Sequence, residues 1–107
     1  MITESDRRIV ERLKRLMVSR GVPLAEMIVF GSRARGDAEP DSDLDVLVVV
    51  DHRAPETREA VRECAWEIGF DEGLFIQTVV LTKDEAENSP ERSSLLMLTV
   101  RREGIKV

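Results

Sequence analysis

Apolar and charged positions alternate at helical spacing in the first segment of the chain, Ser5 to Arg20. Its apolar residues form one stripe of a predicted helix whose opposite face is charged: Ile9, Val10, Leu13, Leu16 and Met17. Thr3 followed by Asp6 resembles a capping box, in which Asp is a weaker partner than Glu or Gln. Gly21 and Pro23 then predict the end of this helix.

Three later runs are rich in apolar and β-branched residues and predict strands. Met27 to Phe30 is a short run bounded by a turn signal. Leu44 to Val50 is almost unbroken, which indicates a central strand buried on both faces. Leu74 to Leu81 predicts a third strand, with the amide Gln77 set into it.

Helical patterns follow the second and third strands. Pro55 opens a predicted helix that ends near Gly69 and Gly73. Its inner side carries Val61, Cys64, Ala65 and Ile68. Thr82 with Glu85 forms a second capping box, which starts a short helix that Asn88-Ser89-Pro90 interrupts. A last helix is predicted from Glu91 to Arg102, with Gly104 as its stop. The alternation favours an α/β (α+β) sandwich with helices packed on a small sheet.

Composition limits the classes of protein that the chain resembles. Its 107 residues predict one domain, 1–107, with a thin core that a partner or a homo-oligomer would help to cover. The net charge of −5 argues against general nucleic-acid binding. No apolar run approaches the ~20 residues of a membrane span, and the opening residues have no signal-peptide core. With a single cysteine as well, we expect a cytoplasmic protein.

The first candidate for chemistry is Gly31-Ser32, which follows the first predicted strand at the start of a possible short helix. Glycine lets a phosphate approach the backbone closely, and the N–H groups at a helix start and the serine hydroxyl are donors to anions. A bare Gly-Ser is more often a turn followed by an N-cap serine.

The second candidate is the pair Asp43 and Asp45 at the head of the central strand. Strand periodicity sends both carboxylates to one face, where like charges repel, so a cation would stabilise the pair. Two hard oxygen donors suit Mg²⁺ shared with phosphate oxygens. The alternative for an isolated Asp-x-Asp is that both side chains are exposed and solvated.

The combination is more specific than either part. Gly31-Ser32 followed after ten residues by Asp43-Leu44-Asp45 resembles the signature of the DNA polymerase β-like nucleotidyltransferase superfamily. The fuller strings Gly-Ser-Arg-Ala-Arg-Gly and Ser-Asp-Leu-Asp resemble its minimal nucleotidyltransferase (MNT) branch, whose genes often pair with HEPN-domain toxins. This resemblance implies a nucleotidyltransferase-type sandwich with a short mixed β-sheet backed by helices.

The resemblance also implies roles for residues of this chain. Gly31 and Ser32 would bind the phosphates of an NTP, most simply ATP, and Asp43 and Asp45 would be catalytic ligands of Mg²⁺ or Mn²⁺. Arg33 and Arg35 would add cationic contacts to phosphate or acceptor. Their alternative is ion pairing with acidic residues of the same loop: Asp37, Glu39 or Asp41. The implied reaction transfers AMP to an acceptor hydroxyl on a partner such as a HEPN toxin.

The chain departs from the family pattern on the third strand, where relatives carry another carboxylate. Gln77 is the residue expected at that place, with Thr78 next in line. An amide cannot act as a general base. Acids that flank the strand offer substitutes, although their spacing does not require it: Asp71, Asp84 and Glu85. The departure leaves open a second hypothesis, a weak or inactive antitoxin that neutralises its partner by contact.

Other residues are weaker candidates. His52 is expected in an ordinary loop, and Cys64 in the core. Trp66 lies off the inner stripe of its helix, so it is expected to be partly exposed. The run Leu95-Leu96-Met97-Leu98 covers more than one helix face, so part of it would be core and part a contact surface.

Overall fold

The strands form one mixed sheet in a computed structural model that describes residues 2–39, 41–88 and 94–107. Within this part of the chain the strands are β1 (Leu24–Phe30), β2 (Leu44–Val50), β3 (Ile76–Thr82) and β4 (Ile105–Lys106). Their order across the sheet is β3-β2-β1-β4. β1 runs antiparallel to β2 and β4, whereas β2 and β3 are parallel. The predicted mixed sheet is confirmed.

Helices cover both faces of this sheet. The described helices are α1 (Glu4–Ser19), α2 (Ser32–Arg35), α3 (Thr57–Glu72), α4 (Lys83–Asn88) and α5 (Leu95–Glu103). α1 and α3 pack on one face, and α5 packs on the other. None of these helices is both long and apolar enough to cross a membrane.

β2 is the central strand that its apolar run predicts. Val46, Val48 and Val50 are buried in the core under α1 and α3, whereas Leu47 and Val49 are buried with α5. Because side chains alternate along a strand, Asp45 shares the face of Leu47 and Val49. The acidic end of β2 therefore lies on the α5 face of the sheet.

The predicted Thr82 capping box forms in full, whereas the predicted Thr3 capping box forms only in half, because the Asp6 carboxylate pairs with Arg33 instead. The Thr3 hydroxyl accepts a hydrogen bond from the Asp6 N–H at 3.0 Å. Thr82 and Glu85 form a reciprocal capping box, with side-chain to backbone distances of 3.0 and 3.1 Å. Gly104 follows the last residue of α5, as its stop. Local chemistry thus sets these helix boundaries.

Several predicted boundaries were wrong. α3 begins at Thr57 and not at Pro55, because Thr57 Oγ1 accepts from the Ala54 N–H at 3.1 Å and fixes a turn before the helix. Gly69 lies inside α3, where a Cβ would be 2.6 Å from the Leu74 carbonyl oxygen. Only Gly73, with φ +75°, ends that helix.

The other differences concern strands and the last helix. β1 begins three residues before Met27, β3 is shifted to Ile76–Thr82, and β4 was not predicted. Edge pairing with β1, at Val29 and Ile105, extends the sheet by a strand too short to show a pattern. The predicted start of the last helix at Glu91 and the interruption at Ser89-Pro90 lie outside the described residues.

Candidate functional site

The site begins with a glycine at the end of β1. Gly31 has φ +78° and ψ −160°, a backbone conformation that side chains strongly disfavour. The chain then enters α2 at Ser32 and leaves it at Gly36, whose φ is +85°. This is the predicted sequence of a strand, a glycine turn and a short helix that starts at Ser32.

The Asp45 carboxylate lies directly against Gly31. A Cβ at Gly31 would be 2.3 Å from Asp45 Oδ2, so only glycine leaves room for this carboxylate. In the sheet, Asp45 pairs with Phe30 of β1 and Gln77 of β3. The turn that is the candidate for phosphate binding and the acidic end of β2 therefore form one continuous surface.

Burial and a neighbouring charge shift the ionisation of Asp45. Partial burial raises the pKa of its carboxyl above the ordinary value, and the negative charge of Asp43 raises this pKa further. The positive charge of Arg35 lowers it and opposes the shift. The ionised pair is therefore electrostatically unfavourable without a cation, as its spacing predicts.

Gln77 reaches the Asp43 carboxylate from β3. Its Nε2 donates to Asp43 Oδ2 at 3.3 Å, and its backbone pairs with Asp45 in the parallel ladder. The neighbouring Thr78 pairs with Val46, so its side chain points to the opposite face of the sheet. Of the two residues considered for the place of a third acid, only Gln77 faces the acidic pair.

The flanking acids do not replace this missing acid. β3 ends at Thr82, about 17 Å along the strand from Gln77, and Asp84 and Glu85 follow this far end in α4. Glu85 is also paired with Arg53 at 2.7 Å. Asp71 is held by Arg12 of α1 at 2.8 Å.

Arg33 has a different set of partners from those considered in the sequence. Its NH1 is 2.9 Å from Asp6 Oδ1 of α1, and only 11% and 7% of these two side chains are exposed. Its Nε and NH2 both donate to the Ser42 carbonyl, at 2.9 and 2.5 Å. The side chain therefore links α1 and α2 to the residue that precedes Asp43. Its contact with phosphate stays a prediction.

Arg35 is more exposed than Arg33. Its guanidinium is 3.3 Å from Asp37 Oδ2 and 3.1 Å from Glu103 Oε1 of α5. Pairing with Asp37 is one of the alternatives that the sequence left open. The positive charge of Arg35 acts on Asp45, so its nucleotide contact also stays a prediction.

Asp6 and Glu103 are supporting residues that the sequence analysis missed. Asp6 lies 27 residues from Arg33 and Glu103 lies 68 residues from Arg35. No local spacing relates such distant positions, because only the packing of α1 and α5 brings them together. Asp6 was assigned only to the capping box.

The donor set fits a hard cation that is completed by a ligand. Among the described residues, no three or more histidine, cysteine or acidic side chains form a metal site. The pair Asp43 and Asp45 supplies two carboxylates, and the Gln77 amide adjoins them. Mg²⁺ commonly takes one or two carboxylates and completes its shell with water and substrate phosphates. The residues present therefore fit Mg²⁺ held jointly with a nucleotide.

The weaker candidates lie outside this surface. His52 is exposed in a bend after β2, and Cys64 is fully buried, with burial raising the pKa of its thiol. Trp66 is 69% exposed, as its position on α3 predicts. In the α5 run, Met97 is buried, whereas Leu95 and Leu98 are exposed.

Comparison with known proteins adds evidence from outside the chain. The family model described as "Nucleotidyltransferase domain" matches residues 7–100. A search of curated proteins found no match. Among solved structures, a minimal nucleotidyltransferase is 29% identical, with a TM-score of 0.65 over 100% of this chain and 97% of the other.

Two further similar structures are toxin–antitoxin complexes. One was crystallised with AMP-PNP; it is 20% identical, with a TM-score of 0.64 over 90% of this chain and 69% of the other. The second contains a tri-AMPylated HEPN toxin of Shewanella oneidensis with its MNT antitoxin. It is 17% identical, with a TM-score of 0.59 over 94% of this chain and 70% of the other. At these identities the likeness concerns the fold.

Proposed function

Because the chain belongs to the nucleotidyltransferase domain family, we propose that it moves AMP from ATP to an acceptor hydroxyl on a partner protein. The reaction uses Mg²⁺, for which Mn²⁺ can substitute. In this transfer the acceptor oxygen bonds to the α-phosphorus, and the bond from that phosphorus to the next bridging oxygen breaks. Pyrophosphate leaves, and the proton of the hydroxyl passes to solvent.

The observation that carries this proposal is the contact between the Gly31 turn and the Asp45 carboxylate. A cation held by this carboxylate would adjoin the turn where Gly31 and Ser32 would bind the β- and γ-phosphates. Phosphoryl-type transfer depends mainly on positioning and charge neutralisation, which such a surface supplies.

Each side chain of the site has a role in the proposal. Asp43 and Asp45 would hold the metal, which would neutralise charge that develops on the phosphates. Arg35 adds a partly exposed positive charge next to the nucleotide. Arg33 is a positioning residue, because its bonds to Asp6 and Ser42 fix the segment that carries Asp43.

The proposed partner is a HEPN-domain toxin. Support comes from the fold, which the chain shares with structures of toxin–antitoxin complexes, one of which holds an AMPylated HEPN toxin. The net charge of −5 does not favour a nucleic acid as the acceptor.

A second candidate function is an antitoxin that acts by contact, with little or no turnover. The observation that favours it is Gln77, whose amide faces Asp43 where a general base would be needed. A base typically contributes ~10²–10⁴-fold to the rate, so its loss slows transfer without preventing nucleotide binding.

The experiment is incubation of the domain with α-labelled ATP, Mg²⁺ and the product of the neighbouring gene, which the proposal expects to be a HEPN protein. We expect label on the HEPN protein, and no label with Asp43→Asn or Asp45→Asn. Asp51→Asn is the matched control, since Asp51 is an exposed aspartate directly after the other end of β2. Mg²⁺·ATP should bind to the parent and to Asp51→Asn, but not to Asp43→Asn or Asp45→Asn.

The outcomes separate the candidates. Nucleotide binding and neutralisation of the HEPN protein without label transfer would support the contact mechanism. Parental binding of Mg²⁺·ATP by both site variants would contradict the assignment of the site itself.

A further inference from the structure

Among the strands that the structure describes, β3 lies at one edge of the sheet. The Leu44 N–H donates to the Phe75 carbonyl at 2.9 Å. With the parallel register, this bond shows that the backbone groups of the odd-numbered residues of β3 point towards β2. Since N–H and C=O groups of successive residues point to alternate sides, the even-numbered residues face outwards: Ile76, Thr78 and Val80. Among the described residues, the outer side receives one bond, from the Arg53 guanidinium to the Val80 carbonyl at 3.0 Å. Ile76 and Thr78 are therefore open to another strand.

An aromatic groove lies beside this edge, between β3 and α3. It encloses about 650 Å³ and is lined by Trp66, Phe70, Phe75, Ile76 and Thr78, with Asp41 and Asp43 at one end. The Trp66 and Phe70 rings are stacked, with centroids 5.3 Å apart. Trp66, Phe70 and Phe75 are 69%, 74% and 64% exposed.

The fold does not use these aromatic side chains in its core. The chain has one Trp, three Phe and no Tyr, so the aromatic groove holds three of its four aromatic residues. Large exposed aromatic side chains grouped beside open backbone groups are typical of a recognition surface. Folding alone gives no reason for this grouping.

The charge of the aromatic groove favours a basic occupant. Asp41 and Asp43 lie at its end, and among the described residues neither has a cationic partner. Arg62, the one basic residue among the described residues of its lining, is paired with Glu59. A bound metal would neutralise Asp43 but leaves Asp41. The phosphates of a nucleic acid would be repelled there.

We propose that an extended segment of a partner polypeptide binds in the aromatic groove as an additional strand on β3. Its backbone pairs with Ile76 and Thr78, and alternate side chains enter the groove. An apolar side chain contacts Trp66 and Phe75, and a Lys or Arg lies near Asp41. Because Asp43 belongs both to the groove and to the acidic pair, a hydroxyl of the same segment lies next to the nucleotide. This last step, which makes the segment the acceptor, rests on the proposed function.

The experiment uses a displayed library of random linear peptides selected on the domain. We expect enriched peptides with apolar residues at every second position and at least one Lys or Arg. Trp66 is the only tryptophan, so these peptides should change the fluorescence of the parental domain on binding. Failure to enrich a binding sequence, or enrichment of acidic sequences, would overturn the proposal.

Two variants test the two kinds of contact. Thr78→Pro removes an outward N–H, which an edge strand tolerates, and Trp66→Ala removes an exposed ring. Each should raise the Kd of the labelled peptides at least about tenfold, as loss of an anchor residue does. Thr78→Val keeps the N–H and Leu98→Ala removes exposed apolar surface on the other face, so both should bind as the parent does. Circular dichroism checks folding, and Trp66→Ala leaves the strand backbone unchanged. Equal affinity in all four variants would refute the assignment.

Parallel measurements separate this proposal from the proposed function. Asp45→Asn should keep peptide affinity and lose Mg²⁺·ATP binding. If the parent binds no nucleotide but its peptide affinity depends on Trp66 and Thr78, the proposed role of the aromatic groove is supported and the proposed transfer reaction is wrong. If sedimentation shows a dimer that Trp66→Ala dissociates, the occupant is a second copy of the chain and the proposal of a partner segment is wrong.

Discussion

Replacement of Gly31 by alanine tests the central contact of the site most directly. The new methyl carbon would be 2.3 Å from Asp45 Oδ2, well inside van der Waals contact. To restore an ordinary contact the carboxylate must move by about 1 Å, and a misplacement of that size in an active site can cost about 10²-fold in rate. Gly31→Ala should therefore reduce transfer by about two orders of magnitude.

The same change also strains the backbone. Gly31 has φ +78° and ψ −160°, a region that is nearly restricted to glycine, where another residue costs about 1–3 kcal/mol. Gly21 has φ +83°, and a Cβ added there would have no atom within 4 Å, which makes Gly21→Ala the matched control. Both variants should lose stability, but only Gly31→Ala should lose Mg²⁺·ATP binding.

The assays are thermal melting with and without Mg²⁺·ATP, and label transfer to the HEPN protein. The parent and Gly21→Ala should both gain melting temperature with the ligand, whereas Gly31→Ala should not. Parental ligand affinity and transfer in Gly31→Ala would refute the role of this contact. An equal loss of function in both glycine variants would attribute the effect to instability.

Three further predictions concern the residues around this contact. Because the pKa of Asp45 is raised in the folded state, its ionisation lowers the free energy of unfolding as the pH rises from the ordinary pKa to the raised one. Asp45→Asn should therefore have a higher melting temperature than the parent at pH 7 without metal. This difference should vanish below about pH 4, which calorimetry at several pH values can measure. Arg33→Ala leaves Asp6 buried without its cation and should lower the free energy of unfolding, measured by chemical denaturation, by about 3–5 kcal/mol. Arg62→Ala removes an exposed ion pair and should lower it by less than about 1 kcal/mol. Gln77→Asp adds a third negative charge to the acidic pair, so its melting temperature without metal should be lower than that of the parent. Mg²⁺ should remove this difference, and label transfer should increase. A penalty independent of metal with unchanged transfer would remove Gln77 from the site.

Local patterns predicted those parts of the fold that local interactions determine. The unbroken run of β2 and the capping pair Thr82 and Glu85 each have a physical cause within a few residues, and both are confirmed. The acidic pair was predicted for the same reason, since strand periodicity fixes the shared face. By contrast, β4 exists because β1 offers an edge to two residues, and no periodicity is visible over that length.

Tertiary packing decided what the arginines of the loop do. Arg33 and Arg35 have the same chemistry and are two residues apart, so their sequence context gave both the same candidate roles. α2 directs Arg33 towards Asp6 and α1, where it is buried, and Arg35 towards Glu103 and α5, where it stays partly exposed. Their different partners lie on helices distant in sequence, so the difference follows only from the fold.

The two sides of the acidic pair differ in a way that bears on how the site would work. On one side, Gly31 and Arg35 adjoin Asp45, so this side has the backbone freedom and the charge that a triphosphate requires. On the other side, Asp43 adjoins the neutral amide of Gln77, which cannot act as a general base, and the aromatic groove, whose rings are exposed. A hydroxyl approaching from that side gains affinity only if it is attached to something that buries apolar surface. The domain should therefore react poorly with free small alcohols, and its rate should depend on the partner that carries the acceptor.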